Sequence, residues 1–74
     1  MVKIHLNLSL IEYTKAKYIE IELEHDTPLL DILKQIGVPP DEVGIIIKNG
    51  RWAPKSSIVS NNDTIELFPQ LSGG

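Results

Sequence analysis

Apolar and polar positions alternate from the start of the chain: Val2, Ile4, Leu6, Leu8 and Leu10 interleave with Lys3, His5, Asn7 and Ser9. A period of two puts every second side chain on one face, so the pattern predicts a half-buried strand over 2–10. A polar connection at 12–17 leads into a second alternation, in which Ile19, Ile21 and Leu23 face one way and Tyr18, Glu20, Glu22 and Glu24 the other. Two such runs in sequence pair as an antiparallel hairpin. The glutamates read as a solvated face or a charged strand edge, because no apolar pocket or base accompanies them to tune their acidity.

The period then changes. Leu29, Leu30, Leu33 and Ile36 recur at helical spacing with Ile32 beside them, predicting a helix over 28–36 that lays one stripe on a sheet. Thr27 is placed to cap it, Pro28 suits its first position, and Asp31 sits near the positive end of its dipole. Gly37, Val38 and Pro39-Pro40 stop it. After Asp41-Glu42, Val43 to Lys48 contains three consecutive isoleucines, a strand buried on both faces or facing core on one side and a partner on the other. Asn49-Gly50 is a tight-turn signal leading to a short strand at 51–53, which Pro54 confines to an edge. Ile58 and Val59 in the following loop are expected to plug the core. A turn at Asn61-Asn62-Asp63 opens the last strand, Thr64 to Phe68, which Pro69 interrupts. Gly37, Gly44 and Gly50 are all assigned to turns or caps. Phe68 follows two inward residues, Ile65 and Leu67, so it is either an outward anchor for a partner or a side chain tucked under a loop.

The order is strand, strand, helix, strand, short strand, strand. A single α+β domain over 1–74 results, with a mixed sheet of four to five strands packed on one helix and the other sheet face left free. Composition adds exclusions. With 74 residues the chain buries only about 60% of its unfolded surface, which demands an efficient core. It has no cysteine, which removes disulfides, thiolate metal sites and a cysteine nucleophile and fits a reducing cytoplasm. Hydrophobic content of 42% with 23% charged residues is that of a folded domain, and no apolar run approaches the ~20 residues of a bilayer span. Net charge is −3 with the basic residues scattered, so the electrostatic footprint of nucleic-acid binding is missing. His5 lies on a polar strand face and His25 in a loop, and neither has partners at metal-ligand spacing. Catalytic constellations and phosphate-cradling glycine loops are also missing, which argues against an enzyme and against a bound cofactor.

The stretch that carries chemistry is the end: Pro69-Gln70-Leu71-Ser72-Gly73-Gly74. A Gly-Gly end is a thin backbone rod bearing one carboxylate, able to enter channels closed to other residues. A carboxylate is a poor electrophile, so a tail of this kind needs prior activation, as an acyl-adenylate made from ATP. The expectation is a flexible tail over 69–74 with Gly74 as the reacting residue and Gly73, Ser72 and Leu71 as its thin stem.

Ile46-Ile47-Lys48-Asn49-Gly50, Asn62-Asp63-Thr64-Ile65-Glu66-Leu67-Phe68-Pro69 and Leu71-Ser72-Gly73-Gly74 together resemble the β-grasp, ubiquitin-like sulfur-carrier family, which includes the thiamine sulfur carrier and the small subunit of molybdopterin synthase. Asn62 stands where that family more often has glycine, and asparagine tolerates the same left-handed torsion. The resemblance implies that an E1-like enzyme using Mg-ATP adenylates Gly74 and that a sulfur donor then gives a C-terminal thiocarboxylate. It also implies a second partner, a synthase large subunit or thiazole synthase, and a docking patch of Leu71 and Phe68 with outward residues of the third strand such as Ile46. Two other readings stay open: a ubiquitin-like modifier conjugated through Gly74, and a plain β-grasp interaction module.

Overall fold

The first alternation forms β1 (Val2–Leu6) in the computed structural model, which describes residues 1–70. It pairs antiparallel with β2 (Tyr18–Ile21), Ile4 opposite Ile19, as the hairpin pattern predicts. β1 is shorter than its alternation. The side-chain amide and backbone N–H of Asn7 both donate to the carbonyl of Leu67, closing the ladder, and Leu8 turns to a positive φ of 53°. Leu8–Leu10 is a 3-10 turn and Ile11–Thr14 a single helical turn, α1. Leu10 is nonetheless fully buried, while Leu8 is exposed. The alternation therefore breaks at Leu8, and the chain folds back over the sheet end to bring Leu10 into the core.

β3 (Thr27–Pro28) pairs antiparallel with β6 (Ile58–Val59), and Leu29–Ile36 forms α2. The helix start differs from expectation. Pro28 sits one residue before the helix in extended backbone, and the Thr27 hydroxyl donates to the carbonyl of His25 instead of capping. A loop carbonyl does the work, since the Leu29 N–H donates to Ser57. The helix end is as read: Gly37 is left-handed at φ 84°, Val38 donates to Leu33 and Gly37 to Lys34, and Val38 is buried beneath them. Of the two loop residues expected to plug the core, Val59 does so and Ile58 points to solvent.

After a 3-10 turn at Pro40–Glu42 come β4 (Val43–Lys48), β5 (Arg51–Trp52) and β7 (Thr64–Pro69). The strand order is β2-β1-β7-β4-β5, with β7 parallel to β1 and antiparallel to β4. The architecture is a five-stranded mixed sheet with α2 on one face, the β-grasp arrangement. Ile4 and Leu6 of β1, Ile65 and Leu67 of β7 and Ile32 and Leu33 of α2 form the centre of the core, all at most 1% exposed. No helix among the described residues is long and apolar enough to cross a membrane.

Two small turns tie the sheet together. Asn49 and Gly50 carry positive φ of 53° and 82°, closing the two-residue hairpin between β4 and β5. The Asn49 side chain reaches across to the next turn: its amide donates to Asp63 at 2.9 Å and its oxygen accepts the Thr64 N–H at 2.8 Å. Asp63 also accepts the Ser60 N–H at 2.8 Å, and Asn62 takes the left-handed torsion, φ 78°. Burial pulls the Asp63 carboxyl upward, but the Ser60 and Asn49 donors and nearby Lys48 outweigh it and hold its pKa below the ordinary value of 3.8.

Candidate functional site

The residues that can meet a partner follow from register. Residues directly opposite in neighbouring strands share a face. Tyr18 lies opposite His5, His5 opposite Glu66, Glu66 opposite Ile47, and Ile47 opposite Trp52. These five form one row across the whole sheet, on the face away from α2. Beside the row, towards the end of the chain, Ile45 pairs with Phe68. Trp52 is 69% exposed and Ile45 44%, whereas Ile47 and Phe68 are half-buried. The β4–β5 half of the face, with Phe68 of β7, is therefore apolar and aromatic, and it borders the end of β7.

The β1–β2 half is polar. The His5 ring stacks on Tyr18 with centroids 4.4 Å apart, and its Nδ1 lies 3.7 Å from the Glu66 carboxylate. That distance is too long for a hydrogen bond, and a pair this open to water contributes little. Lys3, His5, Tyr18, Glu20 and Glu66 line a shallow open depression there. Open to water, it offers no desolvated acid or base of the kind that chemistry needs.

The expected docking residues divide. Phe68 is on the outer face, consistent with an anchor. Ile46 is not: it is 2% exposed and opposite Leu67 in the core. Three consecutive isoleucines conceal the phase of the strand, and the phase is set by Ile46 packing inward, so Ile45 and Ile47 are the outward pair. Trp52 was missed as well, although the two-residue Asn49-Gly50 turn fixes Trp52 opposite Ile47 and made it readable. Leu71, Ser72, Gly73 and Gly74 lie outside the described residues.

The root of the tail is built differently from the expectation. Pro69 does not interrupt the last strand; it is the final residue of β7, paired with Val43. Past Leu67 the strand pairs with β4 alone, so the N–H that proline lacks is not needed on the β1 side. Gln70 continues the attachment, its N–H donating to the Glu42 carbonyl at 2.9 Å. The Glu42 side chain accepts the Tyr13 hydroxyl at 3.1 Å, and this bond, with some burial and the charge of Glu42, raises the Tyr13 pKa above 10.0. Gly44 belongs to neither a turn nor a cap. It is the extra residue where the β4–β7 register shifts between Val43 and Ile45.

A family model described as Mut7-C ubiquitin matches residues 2–73. The chain belongs to the Mut7-C ubiquitin family. Among solved structures, this ubiquitin-family chain is similar to SAMP1 from Haloferax volcanii, with 20% identity, a TM-score of 0.70, and coverage of 99% of this chain and 98% of that one. A crystal structure of the H. volcanii small archaeal modifier protein 1 gives 18% identity and a TM-score of 0.73 over 95% of this chain and 97% of that one. The solution structure of the H. volcanii HVO 2177 protein gives 19% and 0.77 over 99% and 85%. At these identities the likeness establishes the ubiquitin-like β-grasp fold. No curated protein matches the chain.

Proposed function

We propose that this Mut7-C ubiquitin chain is a carrier whose Gly74 carboxylate is activated by an E1-like enzyme and converted to a thiocarboxylate that donates sulfur in molybdopterin or thiamine biosynthesis. One oxygen of the carboxylate attacks the α-phosphorus of Mg-bound ATP and pyrophosphate leaves. Hydrosulfide released by a sulfur donor then attacks the acyl carbon of the adenylate, the bond to AMP breaks, AMP leaves with the bonding pair, a proton is lost from sulfur, and the thiocarboxylate remains. The protein contributes the reacting group and a surface; the activating enzyme supplies ATP, Mg and any acid or base. The observation that carries the reading is the junction of the Leu71-Ser72-Gly73-Gly74 sequence with a strand, β7, whose outward Phe68 adjoins Ile45, Ile47 and Trp52. Such a patch beside a reactive stem serves the activating enzyme first and a synthase subunit afterwards, and aromatic residues of this kind are common interface anchors.

A second reading is favoured by the similarity to a small archaeal modifier protein: a lysine amine attacks the same adenylate-derived acyl group, and the chain becomes conjugated. The two share their first step and part at the nucleophile. Intact mass spectrometry of the protein after incubation with an E1-like enzyme, Mg-ATP and a sulfur donor distinguishes them. Replacement of one oxygen by sulfur on a chain ending at Gly74 supports the carrier; isopeptide adducts on other proteins support the modifier. A chain unchanged by every activating enzyme refutes both, as does a mature protein that keeps residues beyond Gly74.

A further inference from the structure

Gly44 stands in a strand, where glycine weakens local structure, and its torsions are outside the left-handed region, so backbone conformation does not require it. Space does. A Cβ built on Gly44 would lie 2.7 Å from the Cα of Gln70, 3.0 Å from the Pro69 carbonyl oxygen and 3.2 Å from the Gln70 nitrogen. All three are backbone atoms, which cannot rotate aside as a flexible side chain would. At this bulge the departing chain lies directly on β4, and the Gln70 N–H to Glu42 bond at 2.9 Å sits beside the contact.

We infer that Gly44 is a positioning residue for the tail: its missing side chain lets Pro69 stay paired with Val43 and Gln70 stay bonded to Glu42, so that the reacting stem begins at residue 71 and not earlier. The inference rests on the reading of Gly74 as the reacting end. The consequence is one of reach. Four residues beyond Gln70 extend at most about 14 Å, and freeing Pro69 and Gln70 lengthens the tether to six residues, about 21 Å. A longer tether spreads its end through a larger volume, so the local concentration at a partner docked on the Ile45, Phe68 and Trp52 face falls about two- to threefold.

The test uses the full-length protein with Gly44→Ala, and with Gln70→Pro, which removes the N–H donor outside β7 and leaves Gly44 intact. By NMR, the Gln70 amide of the Gly44→Ala protein should exchange about fivefold faster than wild type, the loss of one modest hydrogen bond. In activation assays run where circular dichroism shows each variant folded, both variants should raise the KM for this protein about two- to threefold with kcat held, the mark of lost positioning as opposed to lost chemistry. Unchanged Gln70 exchange in Gly44→Ala overturns the anchoring; faster exchange with an unchanged KM in both variants overturns the positioning role. A wild type inert with every activating enzyme refutes the carrier reading instead, and the Gln70 exchange arm still decides whether Gly44 anchors the chain.

Discussion

The bond between Asn49 and Asp63 joins the β4–β5 hairpin to the turn that starts β7, and a double-mutant cycle measures what it contributes. Asp63→Ala removes the acceptor of two charge-assisted bonds, from Ser60 N–H at 2.8 Å and Asn49 Nδ2 at 2.9 Å. Hydrogen bonds to charged groups contribute roughly 1.5–3 kcal/mol when sheltered, and both partners here are open to water, so about 1 kcal/mol each is the reasonable discount. The single variant should lose about 2 kcal/mol, which for a domain of this size lowers Tm by roughly 8–16 °C. Asn49→Ala loses the same bond, a second one to the Thr64 N–H, and adds the strain of alanine at φ 53°. Strain and the Thr64 bond occur in both arms of the cycle and cancel, so the coupling isolates the Asn49–Asp63 contact at about 1 kcal/mol. Urea denaturation of the four proteins at pH 7 gives the number, and additivity within about 0.3 kcal/mol would refute the account. The pH dependence supplies a second check. Because Asp63 titrates below 3.8 in the folded protein and near its ordinary value in the unfolded chain, its stabilisation is complete above 3.8 and is lost as pH falls through the depressed folded pKa. Asp63→Ala should flatten that acid limb of the stability curve, and Asn49→Ala should flatten it in part.

Two further expectations separate the outer face from the core and test the tail-root contact. Ile45→Ala and Trp52→Ala should weaken binding to an activating enzyme while leaving Tm near wild type, whereas Ile46→Ala, one residue away but buried, should cost about 3 kcal/mol in stability; equal Tm losses for Ile45 and Ile46 would contradict the strand phase. Glu42→Gln should lower the Tyr13 pKa towards 10.0, followed by the absorbance of the phenolate, because the carboxylate that accepts its proton is gone; an unchanged titration would mean that the Tyr13–Glu42 bond does not form in solution.

Most of the architecture could be read from the chain, for reasons visible in particular residues. The helix end at Gly37, the hairpin at Asn49-Gly50 and the turn at Asn62 each require a left-handed torsion, and a residue tolerant of that torsion marks the place. What escaped was set by contacts distant in sequence. Nothing near Leu6 announces that β1 ends there, since the closing bonds come from Leu67. Thr27 and Pro28 resemble a capped helix start, yet the donor they were expected to satisfy goes to Ser57. The phase of Ile45-Ile46-Ile47 is invisible to a hydropathy pattern in which all three residues are alike. Gly44 looked like an ordinary turn glycine because the reason for it, the backbone of residues 69 and 70, lies about 25 residues downstream.

The central place of β7 has a consequence for how such a protein comes into being. Of the sheet's five strands β7 is the last to be synthesised, and it slots between two strands made before it. Until it arrives, β1 and β4 have no common neighbour, and Ile4, Leu6 and Ile46 lack their cross-strand partners Ile65 and Leu67. Closure of the sheet thus waits on its last-made strand: a chain broken off before β7 has neither a continuous sheet nor the outer face that Phe68 shares with Ile45.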